Sequence, residues 1–212
     1  MEVTPMSWEA EIEELRRREA LARRMGGDDK ILRQHAGGKL TVRERIDQLL
    51  DRDSFHEIGA VSGRATYDER GVLQDLMPSN FVFGRGRIEG RPVVVGGDDF
   101  TVRGGAADAA IWQKQVMSEQ MANELRLPII RLVDGTGGGG SVKTMETDGR
   151  TYVPYNQGWD WVVDNLAKVP VVGLGLGSVA GLGSSRLVSS HYSVMVKDVS
   201  QMFIAGPPLV AR

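Results

Sequence analysis

A chain of 212 residues can bury a large core as one domain, or as one domain with an appended arm. Its 41% hydrophobic and 25% charged residues are ordinary for a soluble protein, and a net charge of −2 leaves no electrostatic footprint for nucleic acid or an anionic membrane. The absence of cysteine excludes disulfides, thiolate zinc sites and a cysteine nucleophile, and no apolar run approaches the roughly 20 residues that a membrane-spanning helix needs.

The start, Met1-Glu-Val-Thr-Pro5, is unlike a signal or transit peptide, so the expected location is cytoplasmic. Ser7 can cap a first helix whose apolar positions Trp8, Ile12, Leu15 and Ala22 form only a narrow stripe among charges. Gly26-Gly27 ends it, and a short second helix runs from Asp28 through His35. Thr41 and Glu44 have the spacing of a capping box, which predicts a third helix with Val42, Ile46, Leu49 and Leu50 on one side. Arg43 and Arg45 read as a solvated face or as structural ion pairs.

Beyond residue 54 the period changes. Residues 81–88 and 91–96, joined by Glu89-Gly90, predict a β-hairpin whose second strand is buried. A loop follows over 98–105, and then a helix over 106–125 with Ile111, Met117, Met121 and Leu125 inward. Residues 128–133 read as a strand that runs into the glycine-rich turn Asp134-Gly-Thr-Gly-Gly-Gly-Gly-Ser141. A long polar loop to Pro154 leads to a helix around Trp159, Trp161, Val162 and Leu166. The apolar run 169–176 is a buried strand, broken by a second glycine-rich turn over 177–185. A helix to about Ser190 and short strands at 194–196 and 201–204 complete the chain. Strand, strand, helix recurs over residues 80–204, which predicts a stacked α/β spiral more than a doubly wound sheet.

The 27 glycines, against about 7% in an average protein, cluster at strand ends. Two glycine-rich turns placed after apolar strands can meet over one site, because ligands of α/β folds bind beyond the carboxyl ends of strands. One backbone N–H from each turn would make a two-donor oxyanion hole able to stabilise an enolate. His35, His56 and His191 are far apart and lack partners at metal-ligand spacing, so each reads as structural or surface, and no metal is expected.

These stretches together resemble the carboxyltransferase (β) subunits of biotin-dependent acyl-CoA carboxylases, the propionyl-CoA and methylcrotonyl-CoA carboxylase group. The likeness is carried by His35-Ala-Gly-Gly-Lys-Leu-Thr-Val-Arg-Glu-Arg-Ile-Asp-Gln-Leu-Leu50, Gly84-Arg-Gly-Arg-Ile-Glu-Gly-Arg-Pro-Val93, Asp99-Phe-Thr-Val-Arg-Gly-Gly105 and the run from Val169 to Gly181. Met195-Val-Lys-Asp198 and Met202-Phe-Ile-Ala-Gly-Pro207 continue it. The resemblance implies a crotonase-like ββα spiral over residues 56–212, preceded by a helical amino-terminal arm over 1–55. It implies carboxyl transfer from carboxybiotin, brought on a separate carrier domain, to the α-carbon of an acyl-CoA. The implied partners are acyl-CoA, a biotin carboxylase or biotin carrier subunit, and further copies in a dimer-based homo-oligomer or hexamer.

On this reading the backbone N–H groups of Gly181 and Leu182 are the oxyanion donors, with Gly138 and Gly139 as further candidates. Gly104, Gly105, Ala180 and Gly183 then lie near CoA or biotin. Leu182 stands where the family usually has a second glycine, and the segment from Asp134 departs from the family's Asp-Ser-Gly-Gly-Ala. Family subunits carry a second crotonase-like domain that is absent after Arg212, so the chain reads as an amino-terminal domain or fragment, inactive and prone to associate on its own. Whether the turn serves the thioester or the ureido oxygen of biotin stays open. A non-catalytic CoA-binding or assembly module and a hydratase or isomerase of the crotonase superfamily are the alternatives.

Overall fold

The computed structural model describes residues 7–105, 113–135 and 158–204. Three helices come first: α1 (Glu9–Arg23), α2 (Asp28–Ala36) and α3 (Val42–Leu49). The capping box that starts α3 is formed in both directions. The Glu44 N–H donates to Thr41 Oγ1 at 3.3 Å, and the Thr41 N–H donates to Glu44 Oε2 at 2.7 Å. This fixes the face that α3 turns inward, so that Val42, Ile46 and Leu50 pack with Val82, Val93, Val95, Ile130 and Leu132 in the largest apolar cluster. By packing, α3 belongs to the sheet, although it falls within the helical stretch 1–55. Helix α1 also has a seat, since Arg17 Nη2 donates to Leu73 O at 2.7 Å and Arg24 pairs with Asp75.

The strands are β1 (His56–Glu57), β2 (Gly63–Tyr67), β3 (Leu73–Pro78), β4 (Phe81–Ile88), β5 (Arg91–Asp98), β6 (Ile129–Val133), β7 (Val171–Gly175), β8 (Ser178–Ala180), β9 (Tyr192–Met195) and β10 (Gln201–Phe203). Six of them form one sheet in the order β1-β4-β5-β6-β7-β9. The hairpin β4–β5 turns at Glu89 and Gly90, whose φ values of 51° and 77° are those of a type I′ turn. From β5 onward the neighbours are parallel, and β6 is buried along its whole length, as a strand covered on both faces must be. The crossovers carry α4 (Gln113–Leu125), α5 (Trp159–Lys168) and α6 (Leu182–Val188).

Sequence and structure differ at three places. The β2–β3 hairpin has no counterpart in the sequence reading, because its strands are short, of mixed polarity and half exposed. Ser178–Ala180, read as part of a turn, is a short strand that pairs in parallel with β10. Chain order β7-β8-α6-β9-β10 therefore alternates a strand of the large sheet with a strand of the small one, which gives the expected spiral.

The third difference concerns α4. Met117 and Leu125 were placed inward by apolar spacing, yet they are 45% and 48% exposed. The buried face is Lys114, Ser118, Glu119, Ala122 and Asn123. Ser118 Oγ donates to Gln115 O within the helix at 2.7 Å, and the other polar groups find partners in neighbouring segments. Lys114 Nζ donates to Gly59 O at 3.1 Å, with its amine pushed down to about 8 by burial. Glu119 receives Arg131 Nε at 2.7 Å and Nη2 at 2.9 Å, and Asn123 Nδ2 donates to Asn165 Oδ1 at 3.0 Å. Apolar periodicity points to the wrong face whenever the inward face is polar and satisfied. Among the described residues no helix is long and apolar enough to cross a membrane.

Candidate functional site

The parallel strands β5, β6 and β7 end at Asp98, Val133 and Gly175, and the segments after them meet. A tight 3-10 turn over Arg103–Gly105 follows β5, with Gly104 at φ 64° and Gly105 at φ 66°. Gly105 lies so close to the end of β6 that a Cβ on it would stand 2.7 Å from Asp134 O. On the other side, the Ala180 N–H donates to Gly135 O at 3.2 Å, and a Cβ on Gly183 would stand 2.8 Å from the same oxygen. Three chain segments thus touch backbone to backbone. The two glycine-rich turns do meet, as far as Gly135 on the first.

Beneath this junction lies a buried ionic network that composition alone does not reveal. Asp134 is fully buried and accepts from Arg45 Nη2 at 2.8 Å, Lys39 Nζ at 3.2 Å and Gln34 Nε2 at 3.2 Å. Arg45 Nη2 also donates to Leu176 O at 3.0 Å, which ties the end of β7 to the same group. The Asp134 N–H donates to Asp98 Oδ2 at 3.2 Å, and Asp98 Oδ1 accepts from Arg186 Nη1 at 3.2 Å. Burial pushes the Asp98 carboxyl above the usual range, while the Arg186 charge holds it back. Asp99 is also raised by burial, and it accepts Thr101 N–H at 2.9 Å and Thr101 Oγ1 at 2.6 Å. The groups come from α2 (Gln34), the segment after it (Lys39), α3 (Arg45), β5 (Asp98), the residue after β6 (Asp134) and α6 (Arg186), so the network fixes the relative positions of the elements that carry the turns.

The predicted site residues separate into three groups. Gly104, Gly105, Ala180 and Gly183 are brought together at the junction. Gly138 and Gly139 lie outside the described residues. The Gly181 N–H donates to Phe203 O and Ile204 O, both at 3.1 Å, and so holds the end of β10. The first N–H bond back along α6 runs from Ser185 to Gly181 O at 3.2 Å. The N–H groups of Leu182, Gly183 and Ser184 precede that ladder, as the opening donors of a helix do. Among the described residues the Leu182 N–H has no backbone partner outside its own helix.

Leu182 and Arg186, one helical turn apart, line a narrow cleft of about 10 Å³, room for about one water, with Gln115, Val116, Glu119, Trp159 and Val162. Its walls are mixed, with Gln115, Glu119 and Arg186 set among Val116, Trp159, Val162 and Leu182. Sequence reasoning missed Arg186 because nothing in its neighbours distinguishes it from a surface arginine, whereas it is 2% exposed. Arg45 forms the structural ion pair that was one of its two readings, but its partner Asp134 and the neighbouring Asp98 and Lys39 were not foreseen as a cluster. His35 pairs with Glu44 at the start of α3, and His191 holds backbone groups of neighbouring elements. His191 Nδ1 accepts the Val171 N–H at 3.0 Å, which leaves the proton on Nε2 to donate to Leu166 O at 2.9 Å. No group of three or more His, Asp or Glu able to hold a metal ion occurs among the described residues.

A family model described as the carboxyl transferase domain matches residues 33–212. The chain is 31% identical over 206 residues to the propionyl-CoA carboxylase carboxyltransferase subunit of Haloferax mediterranei, covering 97% of this chain and 39% of that one. It is 33% identical over 201 residues to the propionyl-CoA carboxylase beta chain of Roseobacter denitrificans, covering 94% and 38%. Among solved structures, transcarboxylase 12S with methylmalonyl-coenzyme A and methylmalonic acid bound superposes with a TM-score of 0.77 at 28% identity, over 98% of this chain and 39% of that chain. The chain therefore spans about two fifths of the length of these relatives, and its fold is crotonase-like.

Proposed function

The chain belongs to the carboxyl transferase domain family, and from that membership we propose that it is the acyl-CoA-binding half of an enzyme that moves a carboxyl group from carboxybiotin to the α-carbon of an acyl-CoA. The observation that supports this most is the backbone junction of Gly105, Gly135, Ala180 and Gly183 at the carboxyl ends of three strands, opening beside the Leu182 cleft. Carboxybiotin, delivered on a separate carrier domain, supplies the carboxyl group. Its ureido oxygen and the thioester oxygen ask for the same thing, backbone N–H donors, so the residues present suit either.

In this reading the Leu182 N–H holds the thioester oxygen as negative charge develops on it, which favours the transition state over the ground state. Gly138 or Gly139 supplies the second donor, on sequence grounds. The Asp134 network keeps the turns in register, and the apolar wall of Val116, Trp159 and Val162 excludes water from the acyl group. A biotin carrier subunit, further copies of the chain in a homo-oligomer, and a cytoplasmic location belong to the same proposal. Calorimetric titration with propionyl-CoA tests it, with saturable binding expected. Absence of heat at millimolar ligand, with the protein folded, sinks it.

A second reading is favoured by one observation: the Leu182 side chain lines the cleft where a glycine would leave room. It makes the domain a CoA-binding or assembly module without transfer activity. Leu182→Gly in the assembled carboxylase separates the two. A large gain in carboxylation supports the module, and little change supports the transferase, since the backbone donor is the same in both.

A further inference from the structure

Helix α1 presents two faces, and the fold uses one of them. Toward the domain it buries Ala22 and half-buries Leu21, while Arg17 donates to Leu73 O and Arg18 to Glu14 and Tyr67. Trp8, Ile12 and Leu15 lie on another face. They recur at the i, i+4, i+7 spacing of a single helical stripe and are 62%, 46% and 49% exposed. A continuous apolar stripe on a helix already seated by its other side marks a contact with a second surface.

The charges beside the stripe say what that surface is. The first half of α1 carries Glu9, Glu11, Glu13 and Glu14, and the second half carries Arg16, Arg17, Arg18 and Arg23, with Glu19 the one exception. The helix dipole acts within a turn of each end, so it accounts for Glu9, Glu11 and Arg23 but not for an arginine run that begins at mid-helix. Among the described residues the side chains of Glu9, Glu11, Glu13 and Arg16 have no partner. A surface of one sign attracts one half of such a helix and repels the other. A second helix with the same segregation, laid antiparallel, attracts both halves, whereas laid parallel it sets acid against acid.

The spacing along the helix fits that arrangement. Centred between Ile12 and Leu15, an antiparallel pair sets Ile12 of each copy against Leu15 of the other, with Trp8 closing the seam at both ends. At 3.6 residues per turn, Glu9 and Arg16 lie on one flank of the stripe and Glu11 and Arg18 on the other. Like flanks meet in a two-fold antiparallel pair. Each acid then falls within about 3 Å, measured along the axis, of the other copy's arginine on its own flank.

We propose that α1 is a pairing surface for α1 of a second copy of this chain, laid antiparallel. Trp8, Ile12 and Leu15 form the seam, and the two Glu9–Arg16 pairs set its direction. The pairing does not rest on the transferase reading. Two 15-residue helices meet over about 22 Å, a small interface, so the association is weak and reversible.

Sedimentation equilibrium of the 212-residue chain, from micromolar to millimolar concentration, tests this. Wild type is expected in a monomer–dimer equilibrium. Ile12→Ser combined with Leu15→Ser removes the seam at exposed positions, and weakens association about tenfold or more with the circular dichroism spectrum unchanged. Glu9→Arg and Arg16→Glu each weaken self-association, yet an equimolar mixture of the two variants associates as wild type does, because each acid again meets an arginine. Contact through another face would neither be lost in the single variants nor return on mixing. A wild-type chain that stays monomeric leaves the stripe to a different partner and overturns the pairing. Association that persists in the serine variant overturns it too, as do charge variants that fail to recombine.

Discussion

Arg45 Nη2 lies 2.8 Å from Asp134 Oδ2, so a side chain of the third helix clamps the residue that follows β6, 89 positions along the chain. Both groups are buried, and the same Arg45 nitrogen holds Leu176 O. Replacing Arg45 with Met leaves the Asp134 carboxylate with Lys39 and Gln34 alone. Breaking a buried pair from one side costs about 3–5 kcal/mol. Urea unfolding of Arg45→Met is expected to show a loss in this range. A loss below about 1 kcal/mol would mean that water or Lys39 replaces the arginine fully.

A second buried pair joins Glu119 to Arg131 under the cleft, and Asn165 Nδ2 adds a bond to Glu119 Oε2 at 3.0 Å. Glu119→Gln keeps the shape and removes the charge, leaving Arg131 uncompensated in β6. A destabilisation of about 3 kcal/mol or more is expected from the same one-sided loss. Thermal unfolding followed by circular dichroism measures it, and an unchanged midpoint would contradict the pairing.

Gly183 faces Gly135 O, and an added methyl would stand 2.8 Å from that oxygen. Gly183→Ala must push the two turns apart, at a cost of about 1–3 kcal/mol from overpacking. Affinity for propionyl-CoA is expected to fall at the same time. Retained stability together with retained binding would show that the turns do not pack this closely.

The Glu44 carboxyl is lowered from 4.5 to about 2, first by its bond to His35 and then by the Thr41 N–H. A folded-state value below the unfolded one contributes stability that is complete above about pH 4.5 and disappears as pH falls through about 2. The side chain is 42% exposed, so screening limits the effect to the size of a helix cap, about 1 kcal/mol. The stability gap between wild type and Glu44→Gln should therefore be constant above pH 4.5 and close below it. A gap that persists at pH 2 would remove Glu44 ionisation as its source.

What the sequence made legible was local. Thr41 and Glu44 announced α3, the alternation around Glu89-Gly90 announced the hairpin, and the Val and Leu runs announced β6 and β7. Each of these signals lies within one element. The Asp134 network was illegible because its members are distant in sequence and each, taken singly, resembles a surface charge. The inward face of α4 was misread for a related reason, since Glu119 and Asn123 are buried only because Arg131 and Asn165 lie opposite. Ser178–Ala180 could not be read as a strand without its partner at 201–203. Of the site, the meeting of the glycine turns followed from the strand ends, whereas the partner of the Gly181 N–H depended on where Phe203 comes to rest.

That last contact has a consequence for when the site comes into being. Phe203 O receives the Gly181 N–H at 3.1 Å and Ser184 Oγ at 2.7 Å, and β10 forms its ladder with β8. A growing polypeptide that has emerged only as far as β9 already contains every residue of the cleft, but not the carbonyl that anchors the turn above it. The turn is closed by residues some twenty positions later than itself, so its conformation depends on a segment that reaches it only through the β8–β10 pairing.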